Sequence, residues 1–311
     1  MKNFNRKNAI KIILTAIFLF IVFYKIDFSE LLKNLKNYPA GYLVLGCIVA
    51  VIVNLVGACS LHAVYKKESI RSIFVVILKS KFYAVFLPGQ MLGEATKIFM
   101  LSSSDSSITE RASAVIIDKF LNVIAIVIVG CIGSYMSSYI YNDMLKRYLI
   151  LGLMIAIFVL LLLKNKKIMN CVWKIFCMLI RNEKIINKSK KYIDIWIEYS
   201  NQNKELVISG VWGIVYQCLI SFAYYILGVG LGLTVSFWDY CWINTILTII
   251  LFLPISISGL GIRETTLIGF LGSLGVTSEK AVALSVLMLF IQILCAMLGG
   301  IMLFMEKSEK L

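Results

Sequence analysis

Two short motifs interrupt otherwise apolar stretches of this chain, and each combines helix breakers with charged side chains. The first runs from Pro88 to Glu94 and the second from Pro254 to Glu264. In a lipid bilayer a free backbone N–H or C=O group is costly, so a broken helix persists only where it faces protein or a wet cavity. A charged side chain at that depth marks a candidate functional site. Breaks at matching places in two halves of a chain therefore point to a binding site between them.

The composition indicates a polytopic, all-α membrane protein. Of the 311 residues, 60% are hydrophobic and only 15% are charged, and the mean hydropathy is +0.88. A soluble domain carries more charge, about a quarter of its residues. The formal net charge of +14 raises the question of nucleic acid binding. The basic residues lie in loops between apolar spans, however, which is typical of cytoplasmic loops that face anionic lipid.

Apolar runs near the length needed to cross a bilayer define the predicted spans. They cover residues 10–25, 42–64, 112–134, 147–163, 206–229 and 281–305, with broken pairs at 73–87 and 90–101 and at 241–254 and 262–275. The halves of each pair are too short to cross alone, so each pair is predicted to form a helical hairpin. Ser107 and Glu110 have the spacing of a capping box that opens the following helix.

The first apolar run follows several basic residues and resembles a signal peptide. It ends in Lys25, Ile26 and Asp27 without a small-x-small cleavage site. It is therefore predicted to be an uncleaved first span.

The orientation follows from the basic loops. Segment 164–191 carries nine Lys and Arg residues against a single acid, Glu183, so it is placed in the cytoplasm. Its apolar residues recur at helical spacing, which predicts an amphipathic segment over 164–204 on anionic lipids of the inner leaflet. Both termini, 66–71 and 102–111 are then cytoplasmic, and 25–41, 135–146 and 230–240 lie outside. A role for 164–191 as a switch that responds to bound lipid is an alternative to a role as a simple surface anchor.

These orientations make the chain a single transmembrane domain, 1–311, built as an inverted repeat. Repeat one covers about 10–134 and repeat two about 147–305, with segment 164–204 inserted in the second. Each repeat has the order span, span, hairpin, span, and the two orders run in opposite directions. In such a plan the two hairpins are re-entrant and their tips meet near the middle of the membrane.

The residues at the tips fit an anionic ligand. Glycines at 89, 93, 259 and 261 permit tight turns and close approach of the backbone. The second half of each hairpin would direct free N–H groups and the positive end of its dipole at the centre. Arg263 adds a planar fork of donors suited to phosphate, and Lys97 lies one turn after Glu94.

The acidic residues leave several readings open. Glu94 and Glu264 have the chemistry to bind a cationic head group, to take up protons, or only to neutralise Lys97 and Arg263. Asp118 and Lys119 lie within the apolar run 112–129. Because they are adjacent on a helix they face different directions, and a packing or ion-pairing role competes with a substrate role.

Other kinds of site find little support. Eight cysteines are scattered without a CxxC pair, and His62 is the single histidine. The cysteines are interpreted as small buried hydrophobes, and His62 as an interfacial or packing residue. The chain has no GxxxxGK[ST] nucleotide loop. We expect no metal, no cofactor and no catalytic group.

At these motifs the chain resembles the flippase-like membrane region of the lysylphosphatidylglycerol synthase family. The resemblance covers nearly the whole chain. It rests on PG-x-x-x-GE followed by a basic residue, on an acidic–basic pair, and on P-x-S-x-x-G-x-G-x-RE. The matching residues are Pro88, Gly89, Gly93, Glu94, Lys97, Asp118, Lys119, Pro254, Ser256, Gly259, Gly261, Arg263 and Glu264. The family usually has Arg where Lys97 and Lys119 stand, which weakens bidentate phosphate binding at both positions.

The resemblance implies a multi-pass protein of the cell membrane that moves a lipid with a polar head group. The expected cargo is a phospholipid, including an aminoacylated one, or a polyprenyl-phosphate-linked substrate, and all thirteen residues above are expected to contribute to its site. The alternatives are the membrane component of a phosphatidylglycerol lysyltransferase or of a lipid-linked glycosyl transfer system, and a non-catalytic scaffold. The soluble transferase domain of aminoacylating members is absent from this sequence, so an enzyme role would need a separate transferase partner.

Overall fold

The computed structural model describes residues 27–86, 90–101, 106–138, 201–252 and 259–308, together with 147–148, 150–155 and isolated positions between 167 and 198. Helices and short connections make up the described ranges, and no strand occurs in them.

We number the helices of the described ranges in chain order. They are α1 (Phe28–Lys36), α2 (Ala40–Val64), α3 (Ile70–Phe86), α4 (Gln90–Met100), α5 (Ile108–Met136), α6 (Asn203–Gly230), α7 (Phe237–Phe252), α8 (Ile262–Ser273) and α9 (Ser278–Ser308).

The long helices confirm the predicted all-α membrane fold. Four of them, α2, α5, α6 and α9, are long and apolar enough to cross a bilayer. Their bounds agree within a few residues with the spans predicted at 42–64, 112–134, 206–229 and 281–305. The predicted span 10–25 lies outside the described residues, as do most of 147–163 and of segment 164–204.

Helix α1 was not predicted from the sequence. Asp27 caps it, since its Oδ1 accepts hydrogen bonds from the backbone N–H groups of Ser29 at 2.8 Å and of Glu30 at 3.2 Å. Leu31 is its buried residue, and the helix packs against α9. A nine-residue amphipathic helix is too short and too polar to register as a span.

Both broken segments form pairs of helices that pack on each other. In the first pair, a Cβ atom on Gly93 of α4 would lie 2.4 Å from the Cβ atom of Ala84 of α3. In the second, Gly259 has a φ of +79° and an added Cβ atom would lie 2.6 Å from Leu251 Cδ2 of α7. Glycine is therefore required at position 93 by the contact between α3 and α4, and at position 259 by the positive φ. Whether each pair enters and leaves the membrane on one side remains a prediction.

The packing of the helices is reciprocal between the two halves. Helix α2 packs on α6, and contacts at Gly46 with Leu227 and at Ser60 with Ser209 show that the two run antiparallel. Helix α3 packs on α9, and α7 packs on α5. The shorter half of each broken pair likewise contacts the long helix that follows it, α4 with α5 and α8 with α9. Exchange of α2–α5 with α6–α9 preserves all of these contacts, while the inverted repeat itself stays a prediction.

Polar contacts join the end of α2 to α5 and α6. Ser107 and Glu110 form the predicted capping box at the start of α5. Lys66 Nζ lies 2.9 Å from Glu205 Oε1, and Lys67 Nζ lies 2.7 Å from Glu110 Oε2. The Nδ1 atom of His62 lies 2.8 Å from the carbonyl oxygen of Glu68 in the loop after α2.

The carboxylate of Asp239 ties the start of α7 to the end of α5. It is fully buried, and its Oδ1 accepts from the hydroxyl of Ser137 and from Nε1 of Trp242. Its Oδ2 accepts from Oγ of Ser236 at 2.6 Å and from the Ser236 backbone N–H at 3.3 Å. Every hydrogen bond here is internal, so this carboxylate has a structural role.

Replacement of Asp239 by asparagine should lower stability modestly. The amide keeps one acceptor oxygen but turns an N–H group toward the Ser236 backbone N–H, so one buried hydrogen bond is lost. That loss costs about 1–2 kcal/mol. Thermal melting in detergent measures the effect, with Asp27→Asn at the exposed cap of α1 as a matched control. An unchanged melting temperature would contradict a structural role for Asp239.

Candidate functional site

The structure describes most of the predicted site residues. Pro88, Gly89, Pro254 and Ser256 lie outside the described residues, and Glu94 is on α4 but its side chain is not described. The others are distributed over three helices and the turn before α8: Gly93, Lys97, Asp118, Lys119, Gly259, Gly261, Arg263 and Glu264.

Arg263 is a buried cation in the first turn of α8. It is 3% exposed. Its Nη2 donates a hydrogen bond to Oε1 of Gln292 on α9 at 3.1 Å, while its buried Nε finds no partner among the described residues. No carboxylate in the described part of the chain forms an ion pair with it, not even the adjacent Glu264. A cation buried without a counter-charge is costly, and an anionic ligand would relieve that cost.

Glu264 caps the helix that carries Arg263. Its Oε2 accepts a hydrogen bond from the backbone N–H of Gly261 at 2.6 Å, and its Oε1 accepts one from Ser285 Oγ of α9 at 2.6 Å. Gly261 has a φ of +81°, which glycine adopts without strain. Both carboxylate oxygens are thus engaged, and Glu264 fixes α8 against α9.

The capped turn changes the expected source of anion binding. The Gly261 N–H donates to Glu264, and the Arg263 N–H donates to the carbonyl oxygen of Gly259 at 3.0 Å. The sequence had suggested that these two N–H groups are free, but both are engaged. An internal carboxylate already neutralises this end of the helix dipole. The Arg263 side chain is a candidate anion donor at α8 that this cap does not occupy.

Asp118 and Lys119 point to different neighbours, as their adjacency predicted. Asp118 Oδ1 accepts a hydrogen bond from Ser60 Oγ of α2 at 2.6 Å. Lys119 Nζ lies 5.1 Å from the centre of the Phe252 ring, at the end of α7. Lys119 is therefore next to the break of the second pair, while Asp118 faces the contact between α2 and α6.

The first broken pair is close to the second through α4. Helix α4 contacts both α5 and α7. Gly93 lies on the α3 side of α4, and Lys97 is partly buried one turn later. The described residues of both motifs thus lie on, or directly next to, helices of one contacting group, α4, α5, α7 and α8.

Sequence reasoning missed the partners of the charged residues. Gln292 and Ser285 lie on α9, 29 and 21 residues after the groups they bind. Gln217 and Asn244 are further buried amides within the spans, 5% and 3% exposed. A polar residue inside an apolar span was the available signal, but the sequence does not say which helix it meets.

The fold and the site define the chain as a polytopic α-helical membrane protein with a buried cation beside a helix break. The sequence profile described as "Lysylphosphatidylglycerol synthase TM region" matches residues 8–300. The chain belongs to that family. No curated protein and no solved structure matches it.

Proposed function

We propose that this protein moves a lipid with a phosphate-containing head group between the two leaflets of the cell membrane. The cargo is a phospholipid, including an aminoacylated one, or a polyprenyl-phosphate lipid. Membership of the lysylphosphatidylglycerol synthase family supports a function that involves membrane lipid.

The observation that carries this proposal is the isolated charge of Arg263. A guanidinium presents a planar fork of donors that matches phosphate. Here it is buried among apolar helices, and within the described part of the chain its one hydrogen-bond partner is the neutral side chain of Gln292. A purely structural arginine in a membrane is expected to pair with a carboxylate or with several carbonyl groups. The phosphate of a lipid would supply both a counter-charge and hydrogen-bond acceptors for the guanidinium.

The position of Gln292 suggests how a lipid reaches Arg263. Gln292 lies near the middle of α9, and its side chain is exposed while that of Arg263 is covered. Its exposed neighbours, Phe290 and Ile293, are apolar. A polar amide at this depth beside apolar side chains would suit a lipid whose head group enters between α8 and α9 while its chains stay in the bilayer.

The reciprocal packing of the halves supports an alternating mechanism. Each broken pair contacts the long helix of its own half, and its first helix contacts a long helix of the other half. Rocking of one half against the other would then shift both pairs together, as in transporters built from inverted repeats.

A liposome assay separates this function from its rivals. The purified protein is reconstituted with fluorescent phosphatidylglycerol, and dithionite quenching reports the outer-leaflet fraction over time. We expect faster exchange for phosphatidylglycerol than for a diacylglycerol analogue that lacks the phosphate. Equal exchange of both lipids would contradict recognition of phosphate.

The second candidate is a membrane subunit of a lysyltransferase or of a lipid-linked glycosyl transferase. Such a protein would require a separate catalytic partner. The family match supports this candidate as well. Chemical conversion of the lipid in the same liposomes, once the partner is supplied, together with an absence of exchange, would favour it over translocation.

The proposed orientation places both termini and segment 164–204 in the cytoplasm. Segment 164–191 would then meet anionic lipids of the inner leaflet, because of its excess of Lys and Arg.

Cysteine labelling checks that orientation. In a background without native cysteines, Asn142→Cys should react with an impermeant maleimide added to intact cells, because 135–146 is placed outside. Asn187→Cys should react only after permeabilisation and is the matched control. Labelling of position 187 alone in intact cells would overturn the orientation.

A further inference from the structure

Four neutral polar side chains form a cluster between α6 and α7, which we call the amide cluster: Gln217, Ser221, Asn244 and Thr248. Asn244 Nδ2 donates to Ser221 Oγ at 3.3 Å, and Thr248 Oγ1 donates to Asn244 Oδ1 at 3.4 Å. Ser221 donates to the backbone carbonyl oxygen of Gln217 at 3.0 Å. The first two distances exceed the usual values of about 2.7–3.0 Å. These side-chain bonds are therefore weak, and a ligand with better geometry would replace them.

Gln217 is the member of the cluster that lacks a partner. It is 5% exposed, and its buried Oε1 has no hydrogen-bond partner among the described residues. Positions 213, 217 and 221 follow one face of α6. Gly213 on this face lies against Asn122 of α5, and Ser221 is bonded to Asn244 of α7. The Gln217 side chain is thus directed between α5 and α7, where its unpaired oxygen indicates a missing hydrogen-bond donor.

The register of α6 against α7 places Thr248 opposite Gln217. The ring centres of Tyr225 and Tyr240 are 6.4 Å apart. The bonded serine–asparagine pair lies four residues earlier on α6 and four residues later on α7, as in an antiparallel pair of helices. The next step of four residues on each helix pairs Gln217 with Thr248. Amide and hydroxyl groups from both helices therefore line one site.

Two contacts connect the amide cluster with Arg263. Tyr224 continues the polar face of α6 one turn after the cluster, and it is within range of electrostatic interaction with Arg263. At the break, Leu251 lies one turn after Thr248 and packs on Gly259, in the turn that leads to Arg263. Along α6, Tyr224 and the far end of the cluster are about 10 Å apart. A head group whose phosphate is held by Arg263 would extend toward the cluster.

We propose that Gln217, Asn244 and Thr248 bind hydroxyl groups of the lipid head group, so that the cargo carries glycerol or a sugar beyond its phosphate. The unpaired Oε1 requires a donor, which a hydroxyl group supplies and a phosphodiester anion does not. An ammonium group would also donate. All four members of the cluster are neutral, however, and a buried cation without a counter-charge is costly. This inference rests on the proposed function, because it assumes that Arg263 holds the phosphate.

The test compares lipids that differ only in the hydroxyl groups beyond the phosphate. Short-chain lipids compete with fluorescent phosphatidylglycerol for the full-length protein in detergent. One pair is phosphatidylglycerol and phosphatidylpropanol, and the other is a polyprenyl-phosphate hexose and polyprenyl phosphate. We expect the hydroxyl-bearing lipid of at least one pair to bind about fivefold more tightly, as one buried hydrogen bond allows. A preference in the first pair alone assigns glycerol, and one in the second pair alone assigns a sugar.

Gln217→Leu should remove that preference without weakening the binding of the lipid that lacks hydroxyl groups. The melting temperature should not fall, because the buried Oε1 makes no hydrogen bond among the described residues. Asn54→Leu is the matched control and should keep the preference. Asn54 of α2 is likewise a buried amide with an unpaired oxygen, but its Nδ2 donates to the carbonyl oxygen of Ala50 on its own helix.

Thr248→Val keeps the test decisive where Gln217→Leu does not fold, since it removes a hydroxyl group at nearly constant volume and should reduce the preference. Equal affinity within both pairs, with every lipid above diacylglycerol, would overturn the hydroxyl site and leave phosphate recognition intact. A preference that survives in every folded variant would also overturn the site. Tighter binding of lysyl-phosphatidylglycerol that Gln217→Leu abolishes would overturn it in favour of a cation. Binding no tighter than that of diacylglycerol would overturn the proposed function as well.

Discussion

Replacement of Arg263 by methionine is expected to abolish lipid exchange without lowering the thermal stability of the protein. The methionine side chain fills the space of the arginine stem and removes a buried cation that pairs with no carboxylate among the described residues. Buried charges are often replaced by apolar residues of similar volume with a gain in stability. Hydrogen bonds to charged groups contribute about 1.5–3 kcal/mol, so the exchange rate of phosphatidylglycerol should fall at least tenfold.

Arg263→Lys tests the geometry of the donor as well as its charge. Lysine keeps the positive charge but loses the planar fork, so the rate should lie between those of the wild type and Arg263→Met. Exchange of the phosphate-free analogue should be the same in all three proteins. Exchange of phosphatidylglycerol that persists unchanged in folded Arg263→Met would exclude this site.

Arg111 provides the matched control for an arginine with a structural role. It lies in the first turn of α5 and donates hydrogen bonds to the carbonyl oxygens of Leu101 and Ser106. Arg111→Met leaves these carbonyl groups without their donor. It should lower the melting temperature while the folded fraction retains exchange. The opposite responses of the two arginines would distinguish a ligand-binding cation from a structural one.

Replacement of Glu264 by alanine is expected to destabilise the protein strongly. The cap on Gly261 and the bond to Ser285 are both lost, and a buried N–H group is left unsatisfied. The buried N–H group of Gly261 that loses its acceptor costs about 1–3 kcal/mol, and loss of the hydrogen bond from Ser285 adds to that cost. Melting in detergent together with urea or SDS unfolding measures the change.

Glu264→Gln separates the hydrogen bonds of this residue from its charge. The amide oxygen accepts from Gly261, and the amide nitrogen donates to Ser285 Oγ, so both contacts survive. We therefore expect a melting temperature near that of the wild type, in contrast to the loss that a buried ion pair with Arg263 would produce. A large drop in stability would contradict the capping role. Normal folding with lost exchange would assign the charge to the substrate.

Ser285→Ala is expected to lower stability by an amount between those of Glu264→Gln and Glu264→Ala. It removes one donor to Glu264 and leaves the cap on Gly261 intact. Its effect should be smaller than that of Glu264→Ala and should not add to it, because the two residues share one contact.

The sequence alone determined where the apolar helices lie and where they break. Spans of about 20 apolar residues, the capping box at Ser107 and the glycines near each break are local signals, and the helix bounds agree with them. The short amphipathic helix α1 was missed because a hydropathy scan detects long apolar spans and does not detect short polar helices between them. The same local signals placed both Arg263 and Glu264 at a break, with Arg263 as a candidate phosphate donor and the role of Glu264 left open among several alternatives.

Only the tertiary structure decided the partners of those residues. The spans are apolar around nearly their whole circumference, so their periodicity does not indicate which face meets which neighbour. Packing of α8 on α9 engaged Glu264 with Ser285 and placed Arg263 beside the neutral side chain of Gln292. Packing of α2 on α6 placed Ser60 and Ser209 beside Asp118. A contact between residues far apart in sequence depends on the crossing of whole helices, which no local pattern encodes.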